Sequence, residues 1–371
     1  MIDPVAGRII AIGFQRWKQP QLAPMLRPLC KGLHFASHAP AASKLKPQSG
    51  DMLLWWSSQA LAGVPELAHE SHARTCRMED GFIRSVGLGS DLIPPLSIVL
   101  DEKGIYFDPR QPSALEEILL HEQFSQQDID RAQAVRHFIV ERELTKYNIE
   151  SRTPANWHTQ GRRVILVPGQ VETDASIRFG CSDITTNAGL LQAVRAADPD
   201  AYIVYKPHPD VMSGNRRGRL ALSQAREWAD HIETKLSVIS CINACDALHT
   251  MTSLAGFDAL LRDKQVITYG QPFYAGWGLT KDRDDNGSAF QRRQRKLTLD
   301  ELVAGALLGY PAYWDPRTSQ YSDCETALKL IARQRDEMDR SGELAKLNSG
   351  FLRRQMRKIA AWIRAVMLTP N

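Results

Sequence analysis

Short apolar runs alternate with stretches of helical periodicity along most of this chain. Residues 8–14, 33–35 and 51–56 predict strands, with a helix over 21–30 between the first two. Residues 96–100 and 104–107 predict a hairpin turning at Asp101-Glu102-Lys103. Helical periodicity follows over 113–120 and 128–144. The pattern breaks at Ser151-Arg152-Thr153-Pro154, which predicts a linker between domains. Beyond it, strand and helix alternate from Val164 to about Thr268, the signature of a parallel sheet. After Leu297 the pattern is mostly helical. The expected organisation is α/β, with domains over 1–153 and 154–305 and a helical segment over 306–371.

The ends of these strands carry the polar chemistry. Tyr205-Lys206-Pro207-His208-Pro209-Asp210-Val211 follows the apolar run 201–204. In open α/β sheets, ligands bind at the carboxyl ends of strands. A lysine beside a histidine, held extended by two prolines, suits an anion such as phosphate. The plainer alternative is a loop whose histidine is only packed or solvated. A second strand, 163–167, ends in Pro168-Gly169-Gln170-Val171-Glu172-Thr173-Asp174, which places two carboxylates within three residues. His249-Thr250-Met251-Thr252-Ser253 precedes a helix that begins near Leu254, and its hydroxyls can cap that helix and bind an anion. Several polar strand ends in one half read as a nucleotide-sugar site.

In the first half, Glu79-Asp80-Gly81-Phe82-Ile83-Arg84 pairs adjacent carboxylates with an arginine. A general acid/base needs a carboxylate whose pKa is raised by burial or by a neighbouring charge. An exposed acidic turn is the alternative. Neither a dinucleotide fingerprint nor a GxxxxGK[ST] loop occurs.

Composition narrows the class. Hydrophobic residues make up 43% and charged residues 24%, as in a soluble globular protein. The formal net charge of +4 is too small to propose nucleic acid as a partner. Six cysteines without regular spacing predict reduced thiols and a cytoplasmic protein. With no CxxC and no HExxH, neither a metal nor a cofactor is expected, and Cys241 and Cys245 read as a buried helix face. No signal peptide is expected at the N-terminus, and no run reaches the ~18 apolar residues of a membrane span. Residues 351–367 predict a basic amphipathic helix that can lie on an anionic membrane or pack on the protein. Arg292-Arg293-Gln294-Arg295-Lys296 reads as a solvated loop that could contact an acidic acceptor or a phospholipid head group.

Taken in order, these segments resemble the bacterial capsule polysaccharide Kdo-transferase family of the KpsC type (Kdo is 3-deoxy-manno-octulosonic acid). The resemblance rests on 79–90, 95–101, 104–109, Lys146-Tyr147-Asn148, the loop from Gly169 to Ser176, 206–211, 249–261 and 269–280. It is strongest to the second of the two transferase modules such proteins often carry. The resemblance implies a GT-B architecture, two Rossmann-like domains facing across a cleft. It implies retaining transfer of Kdo from CMP-β-Kdo to a lipid-linked Kdo acceptor at the cytoplasmic face of the inner membrane. It further implies Asp174 as nucleophile and Glu79 as acid/base, with Asp80 the second choice. Lys206, His208, Thr252 and Ser253 would bind the CMP phosphate and Asp258 the ribose, while Gln170 is a further donor-site residue and Arg84 and Glu172 further candidates. Two positions depart from the family pattern: Thr173, where a second acid is usual, and Asp258, where glutamate is more frequent. The alternative is a non-catalytic or differently specific module of the same fold.

Overall fold

The computed structural model describes residues 7–57, 61–150, 152–208, 211, 220–284 and 286–344. The chain divides into two compact units. The first comprises the chain to Ile105, Leu144–Ile149 and the chain from Ala306, and the second comprises Tyr106–Glu143 and Glu150–Gly305. This division differs from a single break near 151–154, because the chain leaves the first unit at Ile105 and returns to it for Leu144–Ile149.

The strands are, in chain order, β1 (Arg8–Ile12), β2 (Gly32–Ala36), β3 (Met52–Trp56), β4 (Arg74–Asp80), β5 (Ser97–Asp101), β6 (Val164–Pro168), β7 (Tyr202–Lys206), β8 (His231–Ile232), β9 (Ala247–Thr250), β10 (Gln265–Thr268), β11 (Lys281–Asp282), β12 (Ala312–Asp315) and β13 (Gln320–Ser322).

In the first unit they form one sheet of order β13-β12-β5-β4-β3-β1-β2. β2, β1, β3 and β4 pair in parallel, and β5, β12 and β13 extend the sheet antiparallel. Alternate residues serve its two faces. Ile9, Ala11, Met52 and Leu54 pack on one side, with Leu22 and Met25 of helix α1 (Gln19–Leu26). Ile10, Ile12 and Leu53 pack on the other, with Val64 and Ala68 of a helix over Val64–Ser71. Burial of both faces explains why these strands read as continuous apolar runs.

One expectation needs correction and a second an addition. Residues 104–107 form no strand, since β5 takes β4 and β12 as its partners. The described region after Leu297 is mostly helical, as expected, but it also holds β12 and β13, a hairpin that closes the antiparallel edge. The basic helix expected over 351–367 lies outside the described residues. Among the described residues no helix is long and apolar enough to cross a membrane.

The second unit holds a wholly parallel sheet of order β11-β10-β9-β6-β7-β8. Ile165, Val167, Ile203, Tyr205, Ala247 and Ile267 lie in its core. Strand order reverses between β6 and β9: β7 and β8 extend one side, β9 to β11 the other. Such a switch point leaves a crevice at the strand carboxyl ends.

The Arg292–Lys296 cluster is not a solvated loop. Arg292 and Arg293 both hold the buried Glu116 carboxylate, at 2.5 Å and 3.1 Å, and Arg293 is only 5% exposed. Arg295 pairs with Glu301 at 2.7 Å. A buried carboxylate needs compensating charge, and these arginines supply it. Cys241 and Cys245 are buried and unpaired, at and just after the helix over Val238–Ala244.

Candidate functional site

The switch point of the second sheet joins the loops after β6 and β9. Gln170 is buried, and its side chain links them: Nε2 donates to Thr252 Oγ1 at 3.1 Å, and Oε1 accepts from the Thr252 N–H at 3.0 Å. The Thr252 hydroxyl donates to Ser176 Oγ at 3.1 Å, and the Ser176 hydroxyl donates to Asp174 Oδ1 at 3.0 Å. A continuous hydrogen-bonded chain therefore runs from Gln170 through Thr252 and Ser176 to Asp174. Asp174 is also the N-cap of the short helix Ala175–Gly180 and accepts from the Ser176 N–H at 3.0 Å. Both bonds go to Oδ1, so one carboxylate oxygen anchors the side chain.

Behind this chain, Asn187 fixes the loop. Its Oδ1 accepts from the Gln170 N–H at 2.8 Å, its Nδ2 donates to the Gln170 carbonyl at 2.9 Å, and its own N–H donates to Glu172 at 2.7 Å. Glu172 is thereby committed to the start of the helix over Asn187–Ala197. Asn187→Ala would leave both backbone groups of Gln170 unpaired inside the protein. An unsatisfied buried group costs about 1–3 kcal/mol, so a clear drop in the urea midpoint of this variant is expected, against little change in an exposed control such as Asn286→Ala.

Gly169 lets the next strand end approach. A Cβ there would stand 2.8 Å from the Tyr205 hydroxyl oxygen and 3.2 Å from the His208 amide nitrogen. Lys206, 7% exposed, donates to the Leu236 carbonyl, and His208 follows it half-buried. Pro209 and Asp210 lie outside the described residues. Ser253 caps the helix over Leu254–Leu260 through the Ala255 N–H at 3.2 Å, as its sequence position predicts. On that helix, burial pushes the Asp258 carboxyl up to about 6; Arg262 opposes this and Glu150 adds to it. His249 is a core residue: burial lowers its pKa to about 4, and Nδ1 faces the Tyr269 hydroxyl at 3.2 Å.

The first unit carries a second polar cluster. Glu79 and Asp80 end β4 rather than forming an exposed turn. Glu79 accepts from the Ser57 hydroxyl at 3.0 Å and the Asp80 N–H at 3.1 Å. Burial first, then the Asp80 charge, raises its pKa to about 7, against the pull of Lys146. Asp80 Oδ2 lies 2.8 Å from Arg84 Nε. Its other oxygen, Oδ1, is buried without a hydrogen-bond partner among the described residues. Arg84 is 4% exposed and also donates to the Ile93 carbonyl at 2.8 Å. Lys146 is brought alongside because its carbonyl accepts from the Arg84 and Ser85 amides, while Asn148 Nδ2 donates to the Ser85 carbonyl at 3.0 Å.

Among the described residues no group of three or more His, Cys, Asp or Glu side chains could hold a metal ion. A family model described as capsule polysaccharide biosynthesis protein matches residues 51–313. The chain belongs to that family. It is 44% identical to the capsule polysaccharide modification protein LipA of Neisseria meningitidis serogroup A over 335 residues, 90% of this chain and 47% of that protein. It is 38% identical to the lipopolysaccharide-processing protein LpsZ of Rhizobium meliloti, covering 79% of this chain and 66% of that one. The capsule-family chain thus spans about half the length of the LipA proteins it matches. Among solved structures it is similar to the KpsC β-Kdo 2,7 transferase of Thermosulfurimonas dismutans, with TM-score 0.71 and 37% identity over 88% of this chain and 99% of that one. The β-Kdo 2,4 transferase of the same organism gives TM-score 0.75 and 29% identity, over 90% and 98% of the two chains. The resemblance read from the sequence and the α/β fold it implied are borne out.

Several residues of these two clusters escaped the sequence reading. Ser57 directly follows β3 of the first sheet, and that position was its only signal. Asn187 and Glu150 gave none, because each acts through a partner far away in the sequence.

Proposed function

We propose that this chain is a retaining β-Kdo glycosyltransferase that moves Kdo from CMP-β-Kdo to a Kdo-primed lipid of phosphatidylglycerol type in capsule linker synthesis. The observation that carries the reading is the 37% identity to a β-Kdo 2,7 transferase over 99% of that chain. Asp174 attacks the anomeric carbon and CMP leaves with the bonding electrons. The acceptor hydroxyl then displaces the Asp174 carboxylate, giving up its proton to Glu79. Two inversions leave the β configuration unchanged. Lys206 and His208, with Thr252 and Ser253, hold the CMP phosphate, Asp258 takes the ribose, and Gln170 sets the loop that carries Asp174.

Incubation of the chain with CMP-Kdo and a synthetic Kdo-primed lipid should release CMP and lengthen the lipid by one Kdo, with a β linkage by NMR. Absence of CMP release above a protein-free blank would discard the reading, and an α product would discard retention. Lys206→Met keeps most of the buried stem and removes the charge. Loss of a hydrogen bond to a charged group is worth roughly 1.5–3 kcal/mol, so its KM for CMP-Kdo should rise about ten- to a hundredfold with a smaller change in kcat.

A further inference from the structure

The strand order of the first sheet also reverses, between β1 and β3: β2 extends one side, β3 and β4 the other. Lys18 follows β1 at this switch point, and Trp56 ends β3. The Lys18 ammonium stands 3.5 Å from the centroid of the Trp56 ring and 5.5 Å from that of Trp17. Trp56 is itself fixed, 7% exposed and edge-on to Phe14. Cation–π contact on this rigid platform holds a flexible lysine in one place.

We propose that Lys18 is the residue that binds the carboxylate of the acidic sugar acceptor. This rests on the transferase reading above and adds a substrate-recognition residue to it.

Three observations carry the assignment. First, the charges around Lys18 leave room for an anion. Asp80 is matched by Arg84, and the Lys18 neighbourhood includes Glu79, which burial and Asp80 keep protonated up to about pH 7. Lys18, Arg84 and Lys146 thus gather three cations around the Glu79–Asp80 pair, a setting that suits an acidic ligand. Second, Lys18 has lost water. Burial lowers its pKa, with Arg84 adding to the fall, although Asp80 and Glu79 oppose it. A partly desolvated ammonium gains more from an incoming carboxylate than an exposed one does. Third, Lys18 breaks a local rule. It is the N-cap of α1, which has no side-chain cap and no acidic residue in its first turn. Serine, threonine, aspartate or asparagine would stabilise that position, and a cation there adds to the positive end of the helix. Such a conflict is expected where function overrides stability. Glu79 and Asp80 end the strand next to β3, so the bound carboxylate would bring the acceptor to the proposed base.

The test compares a Kdo-primed acceptor with its C1 carboxamide, both in the wild type and in Lys18→Met and Lys18→Arg. A charge-assisted contact is worth roughly 1.5–3 kcal/mol, so wild-type kcat/KM should favour the carboxylate about ten- to a hundredfold. Lys18→Met should lose that preference through a raised acceptor KM, and Lys18→Arg should recover much of it. The KM for CMP-Kdo should stay near its wild-type value in both. Equal use of the two acceptors by the wild type would overturn the proposal even if Lys18→Met fails to fold. So would a Lys18→Met enzyme that discriminates as before, or a KM change confined to CMP-Kdo, which would move the contact to the donor's own carboxylate. A wild type that releases no CMP would instead bring down the transferase reading itself.

Discussion

Asp174→Asn is expected to abolish transfer while leaving the fold intact. Loss of a covalent-catalysis carboxylate or its equivalent lowers kcat on the order of 10⁴-fold. Asparagine is the informative substitute because it separates two roles. Asp174 caps a short helix through Oδ1, which accepts from the amide and hydroxyl of Ser176. An asparagine oxygen can accept both bonds, and asparagine equals aspartate as an N-cap. The melting temperature should therefore scarcely move. Asp174→Ala would also lose the cap, at a cost of about 1 kcal/mol, and would mix stability with chemistry. Intact mass after a rapid quench with CMP-Kdo should show a one-Kdo adduct on the wild type and none on Asp174→Asn. An Asp174→Asn enzyme that kept a tenth or so of wild-type kcat would exclude Asp174 as nucleophile.

The Asp174 loop also shows why some of this site was legible and some was not. Gly169, Gln170, Glu172 and Asp174 follow a strand whose five residues are all buried, and an apolar run ending in Pro-Gly is a local signal. The link from Gln170 to Thr252 and on to Ser176 is not local. It exists because β6 and β9 are neighbours, which depends on strand order rather than on any one segment. Glu172 illustrates the same limit from the other side. Read along the chain, it is a carboxylate near Asp174, whereas in the fold it is spent on the Asn187 amide.

The same holds for the charged residues of the second unit. Arg292 and Arg293 look solvated in sequence, because nothing near them announces a buried acid. Glu116 is that acid, and it lies on a helix over Ala114–His121 far earlier in the chain. The antiparallel edge was missed for a different reason. β12 and β13 are four and three residues long, and their flanking sequence carries helical periodicity. Pairing to β5 decides their state. Parallel strands with both faces buried announce themselves by composition, and edge strands depend on tertiary context.

Glu79→Gln carries the second large expected effect, and its pH dependence identifies the role. General acid–base catalysis contributes typically 10²–10⁴-fold, so kcat should fall within that range. The direction of the wild-type pH profile follows from the leaving group. In the proposed mechanism CMP departs as a phosphate and needs no proton, whereas the attacking acceptor hydroxyl must lose one. Glu79 must then be ionised to work. Burial and Asp80 raise its pKa to about 7, so wild-type kcat should climb as pH rises through 7. That limb should vanish in Glu79→Gln. Stability should run the opposite way. A carboxyl whose folded pKa lies above its ordinary 4.5 favours the native state below that value, and the contribution is lost as pH rises through about 7. Wild type should therefore lose stability relative to Glu79→Gln between pH 5 and pH 8, measured by urea unfolding. A rate limb near 7 that survives in Glu79→Gln would transfer the base to another group, and Asp80, with one buried oxygen unpartnered among the described residues, is the next to replace. The two differ in their partners: Asp80→Asn removes the carboxylate that lies 2.8 Å from the buried Arg84 guanidinium, whereas the cations near Glu79, Lys146 and Lys18, act on it without an ion pair at that distance. The base is the residue whose variant loses the limb near 7 while its urea unfolding shows it still folded at that pH.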